Sequence, residues 1–295
     1  MEKQIRNGMI KLEDYMGSDS KIIHVARTSH YTEEEKKELE GLRDDRKFLR
    51  FLMRKKHTSP FEFGEMIFYI EAPLYVLRQL FRHRTASASE QSGRYSIYED
   101  KFDMVPIGEW RGQSTKNKQQ SEGFIVPPEQ KRLTIQQEKL QEYLYGIYEH
   151  RLEIGVSKEQ ARMDLPLSTM VRLYWKMDLH NMMGMIYKRV QGGQKEILDY
   201  VEFMKECIQK YFPMCHEAFE DYYLYAVTFS REELKVLSAL FDSLEYSWNN
   251  FDNILKNINT KSANKIYLSS REIQELRDKF YYIVENQYYS KYAIF

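Results

Sequence analysis

No proline follows Pro213 and no glycine follows Gly193 in this chain. These residues interrupt helices most strongly, one by lacking an amide hydrogen and the other through backbone entropy. The last 82 residues are therefore helix-permissive throughout. Within them Leu234, Leu237, Leu240, Phe241 and Leu244 make one apolar stripe at helical spacing, and Ile273, Leu276, Phe280 and Ile283 make a second.

At 295 residues the chain is long enough to bury a substantial core without disulfides, and 14% aromatic residues supply it. Lys and Arg together number 44, as do Asp and Glu, so the formal net charge is zero. That balance argues against a dedicated nucleic-acid binder, whose affinity rests on excess basic residues. Two cysteines, Cys207 and Cys215, are too few for a disulfide framework and point to a reducing compartment. The N-terminus has no apolar signal region, and no window approaches 18 apolar residues. A soluble, cytoplasmic, globular protein without membrane contact is expected.

Along the chain, residues 5–12 and 22–29 read as short strands. Thr32 to Glu35 has the form of a capping box opening a charged helix through Leu39 and Leu42. Phe48, Leu49, Leu52 and Met53 mark the buried face of another helix. Met66, Phe68 and Ile70 alternate along a β-prone run that ends at Pro73, where a helix with Val76, Leu77, Leu80 and Phe81 on one face begins. Residues 85–98 read as a loop, and the polar stretch 108–128 as a mobile surface insertion. Leu133, Leu140, Leu144, Ile147 and Leu152 fit one long helix. Ser157 with Gln160 forms a second capping box, and 168–189 and 195–211 continue the helical period.

Chemistry concentrates between Arg82 and Tyr95. Arg82, His83 and Arg84 end a helix, and a loop of small residues then delivers Glu90, Ser92, Gly93 and Arg94. Arginine forks and exposed backbone amides suit a phosphate, and Gly93 would admit a ligand close to the backbone. The same residues also fit a basic helix terminus complementing the helix dipole, followed by an ordinary loop. Cys207, Cys215 and His216 lack the spacing of a zinc site, and no metal is expected.

The string RHRTASASEQSGRYS resembles the signature of flavin-dependent thymidylate synthases, an Arg-His-Arg followed after seven residues by Ser92. The segment from His57 through Ser59 and Pro60 to Glu62 resembles a second motif of that family. Ala26 to Ser29, Arg78 to Phe81 and Arg162 to Leu167 fit further segments in the family's order. The resemblance covers residues 1 to about 220. It implies a catalytic domain over 1–220 and a helical C-terminal extension over 221–295. The implied fold is α/β in the broad, mixed α+β sense, a central mixed sheet flanked by long helices.

The resemblance further implies conversion of dUMP to dTMP, with methylenetetrahydrofolate as carbon donor and hydride from FAD reduced by NADPH. A homotetramer with active sites between subunits comes with it. Gln79, Glu90, Ser92, Gly93, Arg94 and Arg162 would hold dUMP, and Arg189 would be the catalytic, ring-activating residue. Ser29, His57, Ser59, Arg82, His83, Arg84 and Glu90 would face FAD, joined by His180. A guanidinium beside the uracil edge favours the electron-rich, N3-deprotonated ring, which attacks at C5 without a protein nucleophile. The chain has no GxGxxG, so FAD would bind without a Rossmann turn.

The chain departs from the family's pattern at Asp178 and His180, where Asn and Arg are usual, and at Gly184, where Asn is usual. Its stretch between Arg189 and Gln194 is one residue short and lacks the usual histidine. These departures leave room for a relative that modifies C5 of another pyrimidine nucleotide. A non-catalytic nucleotide-binding or assembly module is the reading from a different class. Met214-Cys215-His216 is similar to a segment of the unrelated thymidylate synthases that use a cysteine nucleophile, but here it falls in a helical region where a structural cysteine is expected.

Overall fold

Alternation of period two builds the centre of the molecule. In β3 (Glu65–Pro73) the side chains of Met66, Phe68, Ile70 and Ala72 are buried while those between them are only partly covered. In β7 (Met170–Asp178) Val171, Leu173, Trp175 and Met177 do the same. The computed structural model describes residues 1–28, 44–115 and 118–229. Its main sheet has the order β1-β2-β3-β7-β4, with β1 at Glu2–Ile5, β2 at Gly8–Met16 and β4 at Ser87–Glu90. β3 and β7 pair along their whole length, from Glu65 opposite Asp178 to Pro73 opposite Met170.

Eight helices accompany this sheet among the described residues. They are α1 (Asp19–Arg27), α2 (Asp45–Arg54), α3 (Leu74–Leu80), α4 (Pro127–Glu153), α5 (Lys158–Ala161), α6 (Leu179–Gly192), α7 (Lys195–Tyr211) and α8 (Pro213–Phe219). α7 carries the face that meets the sheet, with Ile197, Val201, Met204 and Ile208 fully covered and Phe203 edge-on to Phe68. Burying each such side chain contributes about 1.5–3 kcal/mol. Described residues up to Tyr225 form one compact unit, and none of their helices is long and apolar enough to cross a membrane.

The α/β class, α2, α3, α4 and α7 match the sequence reading. The sheet, however, is antiparallel in every pairing rather than mixed. Residues 22–27 form helix instead of strand. Ser18 caps α1 by accepting from the Lys21 amide, and buried Asp19 in its first turn accepts from the amides of Met214 and Cys215 at the start of α8. Residues 170–178 are strand, where a helical period was read. Segment 5–12 is broken by a turn at Arg6, whose φ of 49° is left-handed.

The loop read over 85–98 contains β4, and the polar insertion contains a hairpin, β5 (Arg111–Gln113) with β6 (Ser121–Phe124). Ser157 precedes α5 but makes no capping hydrogen bond through its side chain. On α4 the buried positions are Gln130, Gln141 and Tyr148, while Leu140 is 55% exposed. Gln141 donates to the Asp103 carbonyl and to Ser168 Oγ, so hydrogen bonds, more than the predicted leucine stripe, fix this helix. Thr32 to Glu35, Leu39, Leu42 and both apolar stripes beyond residue 230 lie outside the described residues.

Candidate active site

α3 ends at Leu80, and the chain turns through Arg82, His83 and Arg84 before entering β4. The turn is tied by the His83 amide to the Leu80 carbonyl and by the Ala86 amide to the His83 carbonyl. Arg82 and Arg84 point to solvent, while His83 is half-buried. Against it lies Arg189 from the last turn of α6. Arg189 Nε donates to His83 Nε2 at 2.9 Å and Nη2 donates to the Gln79 carbonyl at 2.7 Å. Residues 106 and 110 positions apart are thus joined at one guanidinium.

Burial, reinforced by the charges of Arg189 and Lys188, pushes the His83 imidazole down to about 4. It is therefore neutral at pH 7, as an acceptor at Nε2 must be. Burial also lowers Arg189, but a guanidinium starts so high that its charge is retained. Gln79, beside this pair, donates from Nε2 to Gln194 Oε1 at 2.6 Å.

A second cluster gathers at the end of β4. Partial desolvation pushes the Glu90 carboxyl up, opposed by Arg162 and Arg78, which places both guanidiniums within electrostatic reach of it. The following turn is closed by Ser92, whose carbonyl accepts from the amides of Tyr95 and Ser96 and whose Oγ accepts from the Arg94 amide. Arg94 pairs with Glu159 at 3.1 Å. Gly93 is buried against Tyr98, and a Cβ there would stand 2.4 Å from the ring carbon Cε2. This packing by itself leaves no room for a side chain at Gly93, a constraint that stands beside the close ligand approach expected from the sequence.

The residues that the resemblance assigns to FAD spread further. His57 lies just beyond α2, its ring 5.8 Å edge-on from Phe51, and Ser59 begins the 3-10 turn Ser59–Phe63. Because Glu65 faces Asp178 and Ser87 faces Lys176, the segments bearing Ser59, Arg84 and His180 converge on one end of the sheet. His180 and Arg189 stand about 14 Å apart along α6, at a rise of about 1.5 Å per residue. Ser29 lies outside the described residues.

Asp178, read as a departure, has a local explanation. It caps α6, accepting from the Asn181 amide at 2.9 Å and from Asn181 Nδ2 at 2.7 Å, so its charge is met by the helix N-terminus. Sequence reasoning missed the roles of Tyr98, Arg78 and Gln194. Arg78 and Gln194 lie inside strings already singled out, and only the folded contacts reveal them. Both thiols are remote from proton-transfer chemistry. Burial raises Cys207 to about 12 and Cys215 well above the usual range.

Fold and site together place an arginine-rich cluster of polar side chains beside the edge strand of an antiparallel sheet. The chain belongs to the thymidylate synthase complementing protein family, whose profile matches residues 11–214. It is 41% identical over 234 residues to a flavin-dependent thymidylate synthase of Thermus thermophilus, covering 79% of this chain and 83% of that one. To the flavin-dependent thymidylate synthase of Treponema denticola it is 40% identical over 241 residues, covering 81% and 88%. Among solved structures, the UMP/dUMP methylase PolB from Streptomyces cacaoi bound with 5-Br dUMP is similar, with a TM-score of 0.67 and 28% identity, covering 75% of this chain and 97% of that one. The same methylase bound with 5-Br UMP gives 0.65 and 27%.

Proposed function

We propose that the chain is a flavin-dependent thymidylate synthase that converts dUMP to dTMP, with methylenetetrahydrofolate as carbon donor, FAD as cofactor and NADPH as reductant. The observation that carries this reading is the fixed Arg189 guanidinium, held by neutral His83 and the Gln79 carbonyl in a chain of this family. Two of its five N–H donors are committed there, which leaves three for a ligand among the described residues.

In this reading Arg189 lies beside the uracil edge and stabilises the ring as N3 loses its proton, leaving C5 electron-rich. A preorganised charge of this kind contributes roughly 3 kcal/mol, about a hundredfold in rate. Gln79, Glu90, Ser92, Gly93, Arg94 and Arg162 hold the nucleotide, with the guanidiniums on its phosphate. No cysteine takes part. The donor set also fits the flavin. Arg82 and Arg84 suit a diphosphate, and His57, Ser59, His83, Glu90 and His180, together with Ser29, supply polar groups along an extended site. Bound at these residues, reduced FAD would supply the hydride that completes the methyl group.

Residues 1–220 carry this chemistry, and 221–295 form an added extension. Exposed Leu140 and Tyr143 on α4 support assembly into a homotetramer with shared active sites. The balanced charge and the two buried thiols support a cytoplasmic protein that binds neither nucleic acid nor membrane. A second reading, C5 modification of another pyrimidine nucleotide such as UMP, draws on Gly184, the shortened stretch between Arg189 and Gln194 and the similarity to a UMP/dUMP methylase. Tritium release from 5-tritiated dUMP with NADPH and methylenetetrahydrofolate tests the proposal. Turnover of UMP in preference to dUMP, read by mass spectrometry of the product, would replace it with the second reading, and a colourless protein inert toward both would refute it.

A further inference from the structure

The turn that follows β4 is tied to two helices. From α5, Lys158 Nζ donates to the Tyr95 carbonyl at 2.9 Å and Glu159 pairs with Arg94. From α4, two tyrosines fix the main chain of Tyr98. Its amide donates to Tyr148 Oη at 3.0 Å, and its carbonyl accepts from Tyr145 Oη at 3.2 Å. Held this way and only 5% exposed, Tyr98 lays its ring against Gly93, with the hydroxyl oxygen 2.8 Å from where a Cβ would stand. Arg162, at the end of α5, reaches the same oxygen across 64 positions of sequence. Its Nη1 donates to Tyr98 Oη at 3.5 Å. The segment that carries Arg162 is itself steadied by α4, where Arg151 donates to the Ala161 carbonyl at 3.3 Å and pairs with Asp164 at 2.6 Å.

One phenol oxygen therefore touches both halves of the proposed nucleotide site. It closes the space beside Gly93, and it receives Arg162. Such an acceptor suits a guanidinium meant for a ligand. A carboxylate would hold the group and cancel its charge, whereas a phenol holds it and leaves the charge and the remaining N–H donors for an anion. Among the described residues Arg162 makes no ion pair, so that charge is uncommitted there. An arginine side chain is also rich in rotamers. Ordering it before the ligand arrives removes a cost that binding would otherwise bear.

We propose that Tyr98 is a positioning residue of the nucleotide site: its hydroxyl holds the Arg162 guanidinium beside the Ser92–Arg94 turn, so that the two meet the nucleotide's phosphate as one preformed seat. This rests on the reading of Ser92, Gly93, Arg94 and Arg162 as dUMP contacts. Tyr98 itself touches the ligand's neighbours and not the reacting atoms, so its loss weakens binding and spares the chemical step.

The test compares the wild type with Tyr98→Phe, Arg162→Met and the double variant. Calorimetry gives dUMP affinity, steady-state turnover gives KM and kcat, and competition gives the affinity for 2′-deoxyuridine, which lacks the phosphate. Tyr98→Phe keeps the ring, and both bonds to α4 run through the main chain, so the fold is retained. It is expected to weaken dUMP binding roughly tenfold through KM, with kcat little changed. The same change should leave deoxyuridine affinity within twofold, and it should cost less than twofold once Arg162 is already Met. A purely structural role for the hydroxyl would weaken both ligands alike and act equally in either background. Tyr98→Phe within twofold of a dUMP-binding wild type would overturn the proposal. So would an equal loss for deoxyuridine, or an undiminished loss in the Arg162→Met background. A wild type that binds no dUMP would instead overturn the proposed function, and this use of Arg162 with it.

Discussion

Replacing Gly93 by Ala asks whether tight packing or ligand approach keeps this position small. The added Cβ would stand 2.4 Å from Tyr98 Cε2 and 2.8 Å from both Cζ and the hydroxyl oxygen. Tyr98 has little freedom to retreat. It is 5% exposed, its amide donates to Tyr148 Oη at 3.0 Å, and its carbonyl accepts from Tyr145 Oη at 3.2 Å. Overpacking of this kind costs about 1–3 kcal/mol. In a unit of some 150–250 residues each kcal/mol moves the midpoint by about 2–4 °C. Gly93→Ala should therefore lower Tm by roughly 2–12 °C, measured by calorimetry without any ligand. A Tyr98→Leu change removes the atoms that collide, so in a double-mutant cycle the pair should cost less than the sum of its parts by at least about 0.5 kcal/mol. An unchanged Tm in Gly93→Ala, or strict additivity with Tyr98→Leu, would show that Tyr98 is not the constraint.

Arg189→Ala should reduce turnover about a hundredfold or more. Arg189→Lys should recover little, because a single ammonium is a poor replacement for a fork that reaches both His83 and the Gln79 carbonyl; near-normal kcat in the lysine variant would discount the fork geometry. A Cys207→Ala/Cys215→Ala variant should still make product, since thiols raised this far are not thiolates at neutral pH, and a folded but inactive variant would point to a covalent thiol route. His83, lowered to about 4 from an ordinary 6.5, leaves the unfolded chain binding the extra proton between those values. Its neutral form thus favours folding fully above about pH 6.5, and that contribution is lost as pH falls toward 4. His83→Gln should flatten the fall of Tm across that window, and an unchanged slope would deny His83 the role.

What could be read from the sequence followed the physics of each segment. β3 was legible because its alternation is clean and Pro73 closes it. β7 alternates as well, yet its continuation into α6 let a helical period be drawn across both. The apolar run at 22–28 is short enough to suit either state, and the Ser18–Asp19 cap that decides it lies just upstream. β4 carries no apolar side chain apart from Ala88, so nothing in its composition announces a strand, and its pairing is written in the backbone alone. At the site, the types of chemistry were visible in the Arg-His-Arg string. The contacts of Arg189 with residues over a hundred positions away were not, because they depend on where α3 and α6 end in space.

The exposure of β4 bears on how such a protein diversifies. All four of its side chains face solvent, and backbone hydrogen bonds to β7 hold the strand at the rim of the sheet. The core therefore imposes almost no selection on what these residues are. Substitutions between Ser87 and Glu90 would alter the proposed nucleotide site without first passing a test of stability, so neutral drift can explore new recognition there at little risk to folding. A scaffold arranged in this way is open to divergence toward other nucleotides along its margin while its interior stays fixed.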